Sequence, residues 1–226
     1  PRECSLANGR DSPPDLVADR ASALALTPVS RETAERLDRF VALLLAWQSR
    51  THLIAPSTVP HLWTRHIADS LQLIDLAPGA RTWVDVGSGG GFPGLVVACA
   101  LAADPAATVH LIESNVKKAA FLREAQRVTG APALVHCARV EAASSSIDRA
   151  DVVCARAVAP LNSLLDLCFP LMDKTRATGL FPKGQKAQAE LQEAAQSWTM
   201  RANLVESRTD SRARITVIRD LRPRQP

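Results

Sequence analysis

The sequence of 226 residues contains no tyrosine, and aromatic residues make up only 4% of it. Single-stranded nucleic acid is usually gripped by stacked aromatic side chains, so the sequence is poorly supplied for a binding surface of that kind. No apolar run approaches the roughly 18 residues of a membrane-spanning helix, and no signal-peptide pattern opens the chain. These absences predict a cytoplasmic protein with no membrane partner.

Cysteine is also sparse, with five residues, an odd number, and no Cys-x-x-Cys pair. Scattered cysteines within apolar runs are typical of buried free thiols in a reducing compartment, and not of a disulfide framework or a zinc site. We therefore expect free thiols and no bound metal. The cysteines concerned are Cys4, Cys99, Cys137, Cys154 and Cys168.

The sequence has a modest excess of positive charge, with a net charge of +4. That balance permits a nucleic-acid partner without requiring one. One basic row, which we interpret as a solvated helix face, consists of Lys117, Lys118, Arg123 and Arg127. No pattern in the sequence indicates an oligomeric state.

Glycine, in contrast, is concentrated in one place. The segment Val84-Asp-Val-Gly-Ser-Gly-Gly-Gly-Phe-Pro-Gly94 follows a predicted buried strand, Thr82–Val86, and runs into a predicted helix, Gly91–Ala103. Pro93 falls in the first turn of that helix, where a missing N–H costs little. A glycine-rich turn at such a junction lets the backbone approach a ligand and points helix N–H groups toward it. We expect a ligand with a polar or anionic end at this turn.

Two ligands fit the glycine pattern. Gly89-x-Gly91-x-x-Gly94, with Glu113 about 20 residues further on, matches the dinucleotide fingerprint. Asp85-x-Gly87-x-Gly89-x-Gly91 is typical of class I S-adenosylmethionine (SAM) enzymes. A carboxylate at the strand end would repel a pyrophosphate but attract the cationic sulfonium and ammonium groups of SAM. Gly87 also opens the turn directly after the strand, as the second pattern requires. We favour SAM and keep an NAD-dependent oxidoreductase as the alternative.

The predicted elements divide the chain into three regions. Residues 1–27 are predicted to be a flexible segment with a short helix at Asp15–Ala25. Residues 28–79 are predicted to form a helical appendage, in which Ser30 caps a first amphipathic helix and Leu62–Leu76 forms a second. Residues 80–226 alternate strand and helix and form the SAM-binding methyltransferase domain.

The third region is predicted to be an α/β domain with a seven-stranded mixed sheet. Its first five strands alternate with helices, and the last two are joined only by residues 208–211, which predicts a terminal antiparallel hairpin. This is the Rossmann-like layout of class I SAM-dependent methyltransferases. The predicted strands are Thr82–Val86, Thr108–Glu113, Ala133–Cys137, Asp151–Ala155, Thr178–Pro182, Arg201–Ser207 and Arg212–Arg219. The predicted helices are Gly91–Ala103, Asn115–Thr129, a short one around Val140, Leu161–Met172 and Gln185–Trp198.

Ligands bind beyond the carboxyl ends of the strands in an open parallel sheet, so polar residues at those ends are candidates for a site. Glu113, followed by Ser114, is placed to accept hydrogen bonds from a ribose diol. The candidates after the other strands are Gly87 to Phe92, Val140 and Glu141 for an adenine pocket, Arg156, and Lys183. In the appendage, His66 and Asp69 lie one helical turn apart and form a further candidate pair.

Some catalytic motifs are missing from the sequence. No Asn-Pro-Pro-Tyr motif follows the fourth strand, as methyl transfer to an exocyclic amine usually requires, and Cys154 lacks the Pro-Cys setting of a nucleophile for pyrimidine C5. A methyltransferase without a general base best suits an acceptor with an available lone pair, such as guanine N7. Catalysis then consists of holding the acceptor and the sulfonium in line. Arg156 and Lys183 are placed to grip phosphate or the guanine O6.

From about Thr33 to Arg219 the sequence resembles the bacterial 16S ribosomal RNA guanine-N7 methyltransferase family, the RsmG or glucose-inhibited division protein B family. The helical Arg-His-Ile-x-Asp-Ser segment and the Phe-Pro-Gly extension of the glycine turn are particular to that family. The segments that carry the resemblance are Arg65–Ser70, Val84–Gly94, Leu111–Ser114, Arg139–Glu141, Ala155–Ala157 with Leu161-Asn162, and Lys183–Gln185.

The resemblance implies SAM as cofactor and 16S ribosomal RNA, within a small ribosomal subunit particle, as partner. It implies methyl transfer to N7 of one guanine in the decoding-region loop, with Glu113 on the ribose and the rest of SAM held by Gly87, Phe92, Val140, Glu141 and Arg156. One departure is visible, because His52 stands where the family usually has asparagine. A non-catalytic RNA-binding factor of ribosome assembly remains a second alternative.

Overall fold

The computed structural model describes residues 14–224, so the predicted flexible stretch before residue 14, including Cys4, lies outside the described residues. Helices α1 (Pro14–Leu26) and α2 (Arg31–Gln48) open this part of the chain and confirm the two predicted helices. Helix α2 begins where the Ser30 side chain accepts a hydrogen bond from the Thr33 N–H at 3.2 Å. Leu37, Phe40, Val41 and Leu44 are buried on one face of this helix, as expected of an amphipathic helix.

The prediction of one continuous helix over Leu62–Leu76 is wrong. A 3₁₀ turn (Pro56–His61), a π-helical turn (Trp63–Ala68), helix α3 (Asp69–Leu71) and a second 3₁₀ turn (Ile74–Leu76) follow one another, and we call residues 56–76 the helical segment. Side chains here compete with regular backbone bonding. Asp19 of α1 accepts the Trp63 N–H at 2.7 Å, and the Ser70 hydroxyl donates to the His66 carbonyl at 2.6 Å.

The rest of the chain forms a seven-stranded sheet in the order β3-β2-β1-β4-β5-β7-β6. Strands β1 to β5 pair in parallel, and β7 runs antiparallel to both β5 and β6, which confirms the predicted mixed sheet and terminal hairpin. The strands are β1 (Thr82–Val86), β2 (Thr108–Ile112), β3 (Ala133–His136), β4 (Val152–Cys154), β5 (Thr178–Lys183), β6 (Trp198–Glu206) and β7 (Arg214–Pro223). The helices between them are α4 (Gly94–Leu101), α5 (Val116–Thr129), α6 (Val140–Ser144), α7 (Leu161–Thr175) and α8 (Ala187–Ser197).

Several element bounds differ from the predicted ones. Helix α4 begins later, at Gly94, because Gly87, Gly89 and Gly91 adopt positive φ values that a right-handed helix excludes. The hairpin is longer than predicted. Its antiparallel pairing runs from the Glu206–Arg214 pair next to the turn to the Trp198–Pro223 pair at the far end.

Helices cover both faces of the sheet. One apolar cluster joins side chains of α1, α2 and the helical segment to α4 and α5, and the other lies under α6, α7 and α8. The first cluster crosses the predicted boundary at residues 79 and 80, so the division into appendage and methyltransferase domain stays a prediction. Among the described residues, no helix is long and apolar enough to cross a membrane.

Four cysteines lie in the described part of the chain, and all are free. Cys99, Cys154 and Cys168 are buried as expected, but Cys137 is exposed because it follows the short edge strand β3. Burial raises the pKa of the Cys154 thiol well above its ordinary value. Cys154 is therefore neutral and faces the core, which is unlike a nucleophile.

Candidate active site at the carboxyl edge of the sheet

The glycine turn after β1 is fixed by hydrogen bonds to β2 and lies close to the side chain of Val158. The Gly87 and Ser88 N–H groups both donate to the Ile112 carbonyl of β2, at 2.9 and 3.0 Å. Gly87 has a φ of +72°, and a Cβ there would lie 2.8 Å from a methyl group of Val158. A side chain at this position would be strained and would also collide with the chain that follows β4.

Glu113 ties the glycine turn to the end of β2. One carboxylate oxygen accepts the Gly89 N–H at 2.9 Å, and the other accepts the Asn115 N–H at 2.7 Å. The Glu113 side chain is buried. Its predicted ribose contact is therefore combined with a second task, the shaping of the turn, that the sequence pattern did not reveal.

Asp85 does not lie where the sequence argument placed it. Its side chain is completely buried beneath the glycine turn, where one carboxylate oxygen accepts the Gly94 N–H at 3.0 Å and the other has no partner among the described residues. Burial raises the pKa of Asp85 to about 7. A Cβ at Gly94 would meet the Asp85 side chain at 2.5 Å, so this glycine lets α4 approach β1. The geometry supports a role in shaping the turn, and it does not support direct contact with a sulfonium.

A cavity of about 780 Å³ opens beside the glycine turn, above the carboxyl ends of β1, β4 and β5. Its walls come from residues 53–69 of the appendage, the turn at Gly87–Phe92, residues 156–160 after β4, residues 182–184 at the end of β5, and residues 207–215 of the β6–β7 turn and β7. Lys118 of α5 and Glu190 of α8 complete the lining. The predicted residues on its walls are Gly87, Gly89, Phe92, Arg156, Lys183, His66 and Asp69.

Three predicted residues from distant parts of the sequence meet on one wall of this cavity. The Arg156 guanidinium donates to the Arg65 carbonyl at 2.9 Å, contacts His66 Nδ1, and lies 3.4 Å from the Asp69 carboxylate. It also stacks over the Phe92 ring, 5.1 Å from its centroid. A buried arginine is costly unless it is paired, and both terminal nitrogens of Arg156 have partners here.

His66 is neutral at physiological pH. Burial, with the nearby charges of Arg156 and Arg65, lowers its pKa to about 3. Its ring packs against Phe92 with centroids 4.9 Å apart, and Nε2 lies 2.9 Å from the Thr58 hydroxyl. Both ring nitrogens are therefore occupied by protein partners, so His66 is suited to positioning Arg156 and not to proton transfer.

Lys183, at the end of the neighbouring strand β5, also lines the cavity and has an unpredicted partner. Its ammonium group donates to the Ala159 carbonyl at 2.7 Å and lies 3.0 Å from the Glu190 carboxylate. The same Glu190 oxygen accepts the Leu161 N–H at 2.8 Å. Glu190 was missed because it lies on a helix whose sequence offers only an ordinary polar face.

The remaining predicted cofactor residues lie outside the cavity. Glu113 and Ser114 follow β2, and Val140 and Glu141 begin α6 after β3, so all four lie on the other side of β1 from the cavity. Ser114 and Glu141 are exposed and Val140 is half-buried. The predicted cofactor set therefore spans the point where the strand order reverses at β1, which is the usual ligand position in such sheets.

Sequence reasoning also missed the β6–β7 turn as a wall of the site. The Thr209 hydroxyl donates to the Asp69 carboxylate at 2.9 Å, and Asp210 lies 3.7 Å from Arg65. The turn residues were predicted only as a connection, because nothing local in a turn sequence indicates which distant element it contacts.

Fold and site together define a class I SAM-dependent methyltransferase domain: a parallel sheet with its chain reversal at β1, an antiparallel β7 inserted beside β5, and a glycine turn after β1. Solved structures share this fold. A putative O-methyltransferase from Klebsiella pneumoniae aligns with a TM-score of 0.58 and 12% identity, over 90% of this chain and 96% of that one. An O-methyltransferase from Bacillus cereus, solved in complex with SAH, aligns with a TM-score of 0.58 and 13% identity, over 90% and 97%.

The chain belongs to the rRNA small subunit methyltransferase G family, whose model (GidB) matches residues 33–216. It is 58% identical over 207 residues to ribosomal RNA small subunit methyltransferase G of Bradyrhizobium sp. (strain BTAi1 / ATCC BAA-1182), covering 90% of this chain and 91% of that protein. It is 52% identical over 205 residues to the protein of the same name from Methylobacterium sp. (strain 4-46), covering 90% and 96%. This membership confirms the resemblance and favours methyl transfer over NAD-dependent oxidoreduction.

Proposed function

We propose that this protein transfers a methyl group from SAM to N7 of a guanine in the decoding-region loop of 16S ribosomal RNA. The observation that carries the proposal is one cavity in which the glycine turn faces Arg156 and Lys183. The cofactor edge and a cationic acceptor edge are thereby brought together. Membership of the rRNA methyltransferase family supports the choice of ribosomal RNA as acceptor.

The residues around the turn fit the proposed cofactor. The cavity of about 780 Å³ would take the methionine end of the cofactor and the acceptor base, and the adenosine end would lie across β1, outside it. Gly87, Gly89 and Phe92 would hold the methionine end, and Ser114, Val140 and Glu141 the adenosine end. Glu113 keeps unused lone pairs for a ribose diol, because a carboxylate offers about four acceptor positions and two are taken here. SAM would supply an electrophilic methyl group on its sulfonium.

The charges on the cavity wall favour an acceptor that loses no proton. Within residues 14–224, the wall carboxylates are Asp69, Glu190 and Asp210, and each is paired with a cation: Arg156, Lys183, and Arg65 with Arg212, respectively. With His66 also fully bonded, no wall residue is available as a general base. Guanine N7 forms its new N–C bond with its own lone pair while the S–C bond breaks, so the methyl transfer needs no base.

Basic side chains at the mouth of the cavity suit a phosphate backbone. Arg65 and Arg214 line the cavity with partly exposed side chains, and Lys118 joins them from α5. Lys118 was interpreted as part of a solvated face, and its place on the cavity wall corrects that interpretation. Because N7 is hidden in the deep groove of paired A-form RNA, the target must be unpaired or distorted. A folded small-subunit particle in the cytoplasm is the acceptor we propose.

The test uses the purified protein, labelled SAM and small-subunit particles from cells that lack the gene. We expect label at N7 of a single guanine, with naked 16S RNA and assembly intermediates as parallel substrates. Unchanged N7-methylguanine at every small-subunit position in cells without the gene would refute the proposal. SAM binding without transfer to any particle would identify a non-catalytic assembly factor. Thermal stabilisation by NADH and not by SAM would identify an oxidoreductase.

A further inference from the structure

Gln72 is buried behind the cavity wall and does not line the cavity, yet its amide joins two walls. Its side chain is 3% exposed. The Nε2 group donates to the Asp69 carboxylate at 2.9 Å and to the Ser207 hydroxyl at 3.1 Å. The Oε1 atom accepts the Arg208 N–H at 2.9 Å. One side chain thus bonds the helical segment to the β6–β7 turn.

These bonds orient the carboxylate that faces Arg156. The Oδ1 atom of Asp69 accepts from Gln72 Nε2 and from the Thr209 hydroxyl, both at 2.9 Å. The Oδ2 atom is left to face Arg156, with Nη1 at 3.4 Å. Only 15% of the Asp69 side chain is exposed, so water offers few replacements for either neutral donor. The direction of the carboxylate is therefore set by Gln72 and Thr209.

We propose that Gln72 is a positioning residue for the methyl transfer of the preceding subsection, on which this inference rests. It acts through Asp69, which holds the Arg156 guanidinium over Phe92, and through Ser207 and Arg208, which fix the acceptor-side turn. Gln72 itself touches neither cofactor nor acceptor. A residue needed only to fill space would tolerate an apolar side chain of similar length, and a positioning residue would not.

The first test is Gln72→Met, which keeps the side-chain length and removes every hydrogen bond. We expect kcat to fall by about tenfold, with the Kd for SAM changed less than about threefold, because the glycine turn and Glu113 are untouched. Thr129→Ala is the matched control. It removes a buried hydroxyl that donates to the Ala125 carbonyl at 2.7 Å at the far end of α5. This control is expected to lower Tm comparably and to leave kcat within about twofold.

The second test is Gln72→Glu, whose pH profile a merely structural role would not alter. When ionised, this glutamate cannot donate and repels Asp69; when protonated, its single O–H can restore the bond to Asp69 but not the bond to Ser207 as well. Burial and the neighbouring Asp69 carboxylate raise the pKa of a glutamate at this position above its ordinary value. The ratio of variant to wild-type kcat should therefore rise by about fivefold as the pH falls from about 8 to about 5. The same ratio for Gln72→Met should stay flat.

Each outcome decides the inference. A Gln72→Met variant with the kcat of the Thr129→Ala control, or a flat pH ratio for Gln72→Glu, overturns it. Absence of transfer by the wild-type protein would instead refute the proposed function. In that case the Tm values of Gln72→Met, Asp69→Asn and their double variant still test the coupling between the two residues. A loss of Tm in the double variant that is smaller than the sum of the two single losses shows coupling. A loss equal to that sum refutes it.

Discussion

Arg156 and Asp69 meet across 87 residues of sequence, with Nη1 and Oδ2 3.4 Å apart and side chains only 16% and 15% exposed. The pair joins the end of β4 to the helical segment and places both beside Phe92. Removing either partner would leave a poorly hydrated charge, which is costly in proteins. Two of the segments that carried the family resemblance, Arg65–Ser70 and Ala155–Ala157, therefore meet in one ion pair at the cavity.

The first prediction concerns crowding at Gly87. Gly87→Ala is expected to abolish measurable SAM binding, because the new methyl group would lie 2.8 Å from Val158 at a positive φ. Gly130→Ala is the control: its φ is +65° with no atom within 4 Å of the new Cβ. It should lower the free energy of unfolding by about 1–2 kcal/mol and leave SAM affinity unchanged. Calorimetric SAM binding by Gly87→Ala equal to wild type would contradict the proposed crowding.

The second prediction concerns Glu113. Glu113→Ala should weaken SAM binding by at least about tenfold and lower Tm, because it removes a proposed ribose acceptor and frees the Gly89 and Asn115 N–H groups. Glu124→Ala, which removes an exposed carboxylate paired with Arg127, should leave SAM affinity within about twofold of wild type. Titration calorimetry on both variants tests the ribose assignment, which does not survive an unchanged affinity in Glu113→Ala.

The third prediction separates cofactor binding from transfer at Lys183. Lys183→Ala should keep SAM affinity within about twofold and reduce the transfer rate by about tenfold or more, since we propose that the ammonium group contacts the acceptor. The control is Lys174→Ala, which removes the same charge at the C-terminal end of α7, away from the cavity. Lys174 pairs there with Asp148 at 2.8 Å. Single-turnover transfer by this control should match wild type. A Lys183→Ala protein with wild-type transfer would exclude a role for that side chain.

The fourth prediction concerns acid stability and His66. The pKa of His66 is about 3 in the folded protein against an ordinary value of 6.5, because burial and two arginines oppose its charge. The unfolded chain therefore binds more protons between these values, and stability falls as the pH drops through that window. His66→Gln removes this dependence. At about pH 4.5 the wild type should have lost roughly 2–3 kcal/mol more than the variant, relative to pH 7.5. Parallel pH dependence in urea titrations would contradict the assignment.

Local patterns predicted most of the fold. Alternation of buried strands and helices, the glycine turn and the short connection at 208–211 were enough for the seven-stranded sheet and its hairpin. The helical segment was predicted wrongly because apolar spacing does not distinguish π-helical and 3₁₀ turns from a regular α-helix. No local period contains that information.

The candidate site was predicted unevenly for the same reason. Residues at strand ends, such as Glu113 and Lys183, could be placed because topology brings strand ends together. Asp85 was misplaced, since whether a strand-end carboxylate points above or below a turn depends on the packing of Gly94 against it. Glu190 and Thr209 depend on how a helix and a turn dock, which the sequence does not display.

The Phe40 ring of α2 lies 5.3 Å from the Phe92 ring, and a Cβ at Gly90 would lie 2.8 Å from the Leu53 carbonyl. The glycine turn therefore packs against residues that precede the sheet in sequence. A fragment starting at residue 80 would retain every predicted cofactor contact and still lose the surface against which the turn rests. Chimeric enzymes that exchange the appendage between relatives should accordingly inherit changes in cofactor affinity along with any change in RNA choice.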